Sequence, residues 1–371
     1  MRMINRLIVL ISATLLMAPA VADVTIDVLV EQAGLVEGQV ATRDLPRWQG
    51  ARKIMIARVS PEDVAMLAGL YPETEFILVG PDGPDLAAAA DVDAIVGLCS
   101  EALVDAAPNL VWIQIAWAGA ESCLSVPRVG NGDVILTNMQ KMSSPVIGEH
   151  AIALALAIAR ALPVYSKQMV SGDPDVVFEE RSLTAPLMVP LAGKTMLVAG
   201  LGGIGTEAAR RAAALGMRVI GTRNSSREGP EFVDYVGLSD ELLELAAQAD
   251  VIVNALPLTE ATAGLMDSDF FAATKQGVLF VNVGRGGTVD TDALVAALAS
   301  GQVGGAGLDV TEPEPLPADH PLWDFDNVVI TPHVAGAGGE LERHMTLLLE
   351  NLRRYAAGEP LLNVVNPDRG Y

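Results

Sequence analysis

The stretch Thr195-Met196-Leu197-Val198-Ala199-Gly200-Leu201-Gly202-Gly203-Ile204-Gly205 decides the fold. It opens with an apolar run of strand length and closes with the spacing G-x-G-x-x-G. Gly203–Leu215, which follows, reads as a helix. A strand that runs through a glycine turn into a helix gives each glycine a task. Gly200 permits the tight turn, Gly202 lets the backbone approach a pyrophosphate, and Gly205 lets helix pack on strand. The first N–H groups of the helix have no intrahelical partner and sit at the positive end of its dipole, so they favour an anion. Gly200, Gly202, Gly203, Ile204 and Gly205 are therefore candidate contacts for a dinucleotide.

Moving outward, the next strand reads Arg218–Gly221 and continues Thr222-Arg223-Asn224-Ser225. A carboxylate near this point would hold the ribose 2′-hydroxyl of NAD, but no acid is present. Arg223 stands in its place, with Arg227 close behind. A guanidinium flanked by amide and hydroxyl donors suits a 2′-phosphate, which a carboxylate would repel. Arg223, Asn224 and Ser225 thus point to NADP(H). The alternative is a solvated arginine and a site that also takes NAD(H).

Farther along, strands are expected at Val251–Ala255, Val278–Val283, Gly305–Leu308 and Val328–Ile330. Before the glycine turn they are expected at Lys53–Ala57, Glu75–Val79, Ala94–Leu98 and Val111–Ala116. Helices at Pro61–Leu70 and Ser100–Ala107 lie between them. Such alternation argues for parallel sheets covered by helices on both faces. A length of 371 residues suits two domains at roughly 100–200 residues each. Glu149–Leu162 is an Ala/Leu-rich helix suited to cross between them. Leu341–Tyr355 is a last helix suited to return to the first, Val24–Gly50 reads as irregular, and Pro163–Pro190 reads as an arm or long loop.

Three strands of the second half end in polar groups. Val281-Asn282-Val283-Gly284-Arg285-Gly286-Gly287 supplies an arginine between glycines. Leu308-Asp309-Val310-Thr311-Glu312-Pro313-Glu314-Pro315 supplies acids, and Thr331-Pro332-His333-Val334-Ala335-Gly336 supplies a histidine. Open α/β sheets bind ligands at the carboxyl ends of their strands. An Arg, an acid and a His at one sheet edge fit hydride transfer to a 2-oxo acid. The arginine binds the carboxylate and polarises the carbonyl, the histidine donates the proton, and the acid orients the ring and raises its pKa. Glu312 competes with Glu314 for the last role. His150 reads as a packed hinge residue, and neither it nor His320 nor His344 has metal-binding spacing.

In order and spacing, these motifs resemble the D-isomer-specific 2-hydroxyacid dehydrogenases from about Lys53 to the C-terminus. Trp112–Glu121, Gly148–Arg160, Leu256–Thr262, His320–Trp323 and Asn363–Tyr371 share in the likeness. The resemblance implies Arg285, Glu314 and His333 as the catalytic group, with Glu314 as the acid that partners His333. It implies cofactor contacts from Leu256, Pro257, Thr262, Val283 and Gly336, and from Asp309 toward the nicotinamide carboxamide. It implies a substrate carboxylate held by Arg285 and by the backbone of Ala118, Gly119 and Ala120, and it implies a homodimer. The α/β fold it implies has two doubly wound parallel-sheet domains. One is a flavodoxin-like substrate domain (23–147, completed by 341–371), and the other a Rossmann-type NAD(P)-binding domain (148–340). One departure concerns the substrate loop. The family often has a small aliphatic residue and an Asp after the glycine, whereas this chain has Ala120-Glu121, with Trp117 just before.

The formal net charge of −22 disfavours nucleic acid and anionic lipid, which need a basic face. Arg2 and Arg6, the apolar run Leu7–Met17 and Ala20-Val21-Ala22 have the order of an export signal cleaved after Ala22. The expected destination is a periplasm, and no other run is long and apolar enough to span a membrane. The alternatives are a misplaced start, which would leave the chain cytoplasmic, or an uncleaved anchor. Two cysteines, Cys99 and Cys123, permit one disulfide in an exported chain, or stand as two buried thiols. Two functions remain open at this stage. The first is an enzyme acting on a small 2-oxo or 2-hydroxy acid, such as a glyoxylate or hydroxypyruvate reductase. The second is an NADP(H)-binding sensor or scaffold without turnover.

Overall fold

In the computed structural model, residues 25–169, 188–224, 226–338 and 341–368 are described. The expected export signal at 1–22, most of the 163–190 arm and Ser225 lie outside them. Short aliphatic runs form the strands of the first half: β1 (Glu37–Ala41), β2 (Lys53–Ile56), β3 (Glu75–Leu78), β4 (Ala94–Val96), β5 (Trp112–Gln114) and β6 (Ile135–Thr137). Five of these make a parallel sheet in the order β3-β2-β4-β5-β6. This is the flavodoxin-like doubly wound order.

The second half contributes β7 (Thr195–Ala199), β8 (Arg218–Arg223), β9 (Tyr235–Leu238), β10 (Val251–Asn254), β11 (Val278–Asn282), β12 (Val303–Leu308) and β13 (Val328–Ile330). They form one parallel sheet in the order β13-β12-β11-β10-β7-β8-β9. β10 and β11 are buried at every position. Burial on both faces explains why they read as unbroken apolar runs rather than as alternating ones. The order reverses between β7 and β10, and this switch point is where such sheets bind dinucleotides.

Helix Ser144–Ala159 crosses between the sheets. It begins earlier than its Ala/Leu pattern suggested, with Pro145 in the first turn, where a missing N–H costs nothing. Gly148 brings it close to helix Gly203–Ala214. A Cβ at 148 would stand 2.6 Å from Cβ of Glu207 and 2.9 Å from N of Ala208. Helix Leu341–Ala357 returns to the first sheet as expected. There Asn351 Nδ2 donates to Gln114 Oε1 (3.0 Å), and the Tyr355 hydroxyl donates to Asp93 Oδ1 (3.1 Å). Strand β14 (Pro360–Leu362) then pairs antiparallel with β1.

The segment expected to be irregular, Val24–Gly50, holds β1 and a helix, Ile26–Ala33, capped by Thr25 and by left-handed Gly34. β6 and β9 were not foreseen either. β9 has four residues, one of them Gly237, too short and broken a pattern to be read locally.

Candidate active site

The glycine turn has the geometry its spacing implies. Gly200 has φ +91°, which an L side chain rarely adopts. A Cβ at Gly205 would collide with the carbonyl of Gly200, so helix and strand could not meet there. Gly202 is the N-cap of helix Gly203–Ala214 and offers no side-chain cap, which leaves the first N–H groups of the helix to an external acceptor. A Cβ on Gly202 would meet nothing within 4 Å. Leu256 closes the other side of the switch point, its Cδ2 3.1 Å from the Cβ position of Gly200. Farther along that loop the Thr262 hydroxyl donates to Pro257 O at 2.6 Å.

Arg223 ends β8, and Asn224 beside it is exposed. The Nε of Arg223 is buried without a partner. Arg227 is committed elsewhere, to Glu241 and the Tyr235 hydroxyl, and these contacts help hold the Glu241 carboxyl down at about 2. A second cation that the sequence reading missed lies nearby. Lys141 has φ +72°, and its Cγ is 3.0 Å from the Cβ position of Gly203. Burial lowers the Lys141 pKa, and the charge of Arg223 lowers it further. Its Nζ donates to Gly34 O at 2.5 Å. Two like charges beside a glycine turn, in a chain of net charge −22, make a setting that an anionic phosphate would relieve. An orphaned Nε, an uncapped helix start and open space at Gly202 together fit a dinucleotide phosphate.

β11, β12 and β13 are neighbours, so Arg285, Glu314 and His333 all follow the carboxyl ends of adjacent strands. His333 Nδ1 is 2.6 Å from Glu314 Oε1. Glu314, not Glu312, is the partner; the carboxylate of Glu312 lies toward Gly287. His333 has φ +52°, an unusual conformation for a residue with a side chain. Asp309 fastens the turn. Its Oδ1 accepts from the Thr331 hydroxyl (2.6 Å) and Val334 N–H (2.9 Å), and its Oδ2 from Ala335 N–H (3.0 Å). His150 Nε2 meets the same Thr331 hydroxyl at 3.0 Å, so this hinge histidine supports the loop. Gly336 packs over Ser143 and Ile147 at the start of the crossing helix.

Arg285 is held through its backbone by three polar residues that the sequence reading passed over. Asn282 Nδ2 (3.2 Å) and the Thr288 hydroxyl (2.7 Å) both donate to Arg285 O, and buried Asn254 Nδ2 donates to Thr288 Oγ1 (2.7 Å). Val283, between them, is buried. Gly286 allows the Thr311–Glu312 backbone to touch the loop, leaving no room for a Cβ.

The loop Ala118–Ala120 faces this edge from the first sheet. Asn138 Nδ2 donates to Ala118 O at 2.6 Å and fixes its shape. Among the described residues, no acceptor meets the N–H of Ala118, Gly119 or Ala120. Arg285 reaches across to the loop, and its Nε donates to Glu121 Oε1 at 3.2 Å. Behind the loop, Cys123 is joined to Cys99, which resolves the choice between a disulfide and two thiols. Arg58, with φ +63°, stacks its guanidinium 5.3 Å from the Trp117 ring centroid and is a further cation on this side.

Comparison with known proteins agrees with this arrangement. Residues 152–335 match the family described as D-isomer specific 2-hydroxyacid dehydrogenase, NAD binding domain. Glyoxylate reductase of Thermofilum pendens is 33% identical over 287 residues, covering 75% of this chain and 82% of that one. D-3-phosphoglycerate dehydrogenase of Archaeoglobus fulgidus is 35% identical over 271 residues; the match takes in 71% of this chain but spans only 49% of that protein's length. The NADPH-dependent glyoxylate/hydroxypyruvate reductase of Sinorhizobium meliloti, solved with NADP and sulfate, superposes with a TM-score of 0.71 at 28% identity, covering 86% of this chain and all of that one. The two parallel sheets, the glycine turn at their switch point and the Arg–Glu–His edge thus have a common explanation: the chain belongs to the D-isomer specific 2-hydroxyacid dehydrogenases.

Proposed function

We propose that the protein reduces a small 2-oxo acid of the glyoxylate or hydroxypyruvate kind to the corresponding D-2-hydroxy acid. The observation that carries this reading is the 2.6 Å His333–Glu314 pair on the sheet edge that also presents Arg285 to the loop Ala118–Ala120. Bound NAD(P)H supplies the hydride. The free N–H groups of the loop, with Arg285, hold the substrate carboxylate. Arg285 also draws electron density toward the carbonyl oxygen, and His333 gives that oxygen its proton from Nε2. Glu314 keeps Nδ1 protonated and the ring in place. We take NADP(H) as the preferred cofactor. Its support is Arg223 with its orphaned Nε, the absence of an acid after β8, and the NADPH dependence of the S. meliloti relative. The test is oxidation of NADPH or NADH with a panel of 2-oxo acids. The expected result is turnover with a lower KM for NADPH, and a shift toward NADH in Arg223→Asp. No turnover with any member would leave a dinucleotide-binding protein without catalysis.

We further propose that the chain works outside the cytosol. The order of charge, apolar run and Ala-x-Ala in residues 1–22 supports this, and so does the Cys99–Cys123 disulfide, a bond typical of oxidising compartments. Sequencing the N-terminus of the mature protein from fractionated cells tests it. A periplasmic chain beginning at Asp23 is expected, and a cytosolic chain retaining Met1 would refute it.

A further inference from the structure

A guanidinium has five N–H groups to place. In Arg285, Nη1 donates to Gly284 O at 2.9 Å and Nε donates to Glu121 Oε1 at 3.2 Å. Glu121 belongs to the other sheet's domain and lies 164 residues away in sequence, so this contact spans the cleft. Nη2 lies over Gly119. A Cβ at 119 would collide with Nη2 and come within 2.6 Å of Glu121 Oε2. The carboxylate of Glu121 therefore lies along the edge of the guanidinium that Nε and Nη2 share. Nη2 lies against the loop at Gly119, and among the described residues no acceptor meets it. Glu121 sits on a firm base, because it opens helix Glu121–Leu124, next to buried Ala120 and two residues from disulfide-bonded Cys123.

We propose that Glu121 is a positioning residue for Arg285: by holding the Nε side across the cleft, it aims the Nη1–Nη2 end of the guanidinium at the carboxylate of the 2-oxo acid. The assignment rests on the proposed reduction, but the contact itself does not. A long, half-exposed arginine samples several rotamers, and an acceptor on one edge selects among them. Removing that acceptor leaves the cation free to bind an anion but not to meet it at the productive angle. Misorientation is then felt in turnover more than in ground-state binding.

The test compares wild type, Glu121→Ala and Glu121→Gln with the same 2-oxo acid and NADPH. For Glu121→Ala, kcat is expected to fall about tenfold while KM stays the same or falls, the scale set by small errors of orientation. Glu121→Gln keeps an acceptor oxygen at the same reach and is expected to restore kcat to within about threefold of wild type. An unchanged kcat in Glu121→Ala, or equal damage in both variants, would overturn the positioning role. A second readout needs no substrate: the rate at which phenylglyoxal modifies Arg285, followed by mass spectrometry. Glu121→Ala is expected to raise it at least threefold, and an unchanged rate overturns the pairing. Faster modification alongside an inactive wild type would sink the proposed reduction alone.

Discussion

At the scale of single residues, His333 combines a strained backbone with a charged partner, an arrangement that has to be maintained by its surroundings. His333→Ala is expected to lose at least about two orders of magnitude in kcat, the usual scale of general acid–base catalysis. Its affinity for NADPH, read by fluorescence titration, should stay within a factor of about two, because the glycine turn lies four strands away from β13, at β7. Lys141 concerns the cofactor instead. Lys141→Gln is expected to raise the Kd for NADPH several-fold more than that for NADH, since it removes one of two cations beside the turn. Arg285, Glu314 and His333 were legible because glycine or proline punctuates each strand end that carries them. Asn254, Asn282 and Thr288 were not legible, because a polar residue inside or just after an apolar strand gains meaning only when its partners on neighbouring strands are known. Lys141 and the Glu121 contact depend on the approach of two domains, and Arg58 on a loop of the first domain meeting Trp117 far along the chain, which no local pattern encodes.

At the scale of elements, helix Ser144–Ala159 lies against the dinucleotide-binding helix with Gly148 at the closest point. Gly148→Ala would force the two backbones apart or distort Glu207. The expected cost is about 1–3 kcal/mol, the range for overpacking a close contact, measured as a lower denaturation midpoint. The Asp309 turn makes a similar demand on charge and shape. Asp309→Asn keeps the volume but offers one acceptor oxygen in place of two, so the loop that carries His333 loses part of its anchorage. A drop in kcat is expected to exceed any change in melting temperature. The strands of the second sheet were legible as continuous apolar runs, since burial on both faces demands them. β1 and β9 were not. β1 is a mostly exposed edge strand whose partner, β14, comes at the far end of the chain. β9 is four residues with a glycine inside, so its identity comes from pairing with β8 rather than from its own composition.

At the scale of the whole molecule, the last helix shares a core with helix Ile26–Ala33 and also reaches the start of the crossing helix. His344 on that helix meets the Ser143 hydroxyl at 3.2 Å, just before the crossing helix. Burial pushes its pKa below the ordinary 6.5, and the neighbouring Arg343 adds to the effect. The folded state therefore takes up this proton less readily than the unfolded chain. The stability it allows is fully present above pH 6.5 and is lost as the pH falls from there toward the depressed folded value. Wild type is expected to lose melting temperature between pH 7 and 5.5, and His344→Gln to lose less. The carboxylates held low by arginine partners, such as Glu207 and Glu350, lose their contribution only under more acid conditions. The Cys99–Cys123 link divides the molecule in another way. The chain's two cysteines are both spent beside the substrate loop, and the half that carries the glycine turn has no thiol at all. On the proposed reduction, a preparation made or stored under reductant is expected to keep its affinity for NADPH and to lose affinity for the 2-oxo acid. Two laboratories could agree on one constant and disagree on the other for no reason but their buffers.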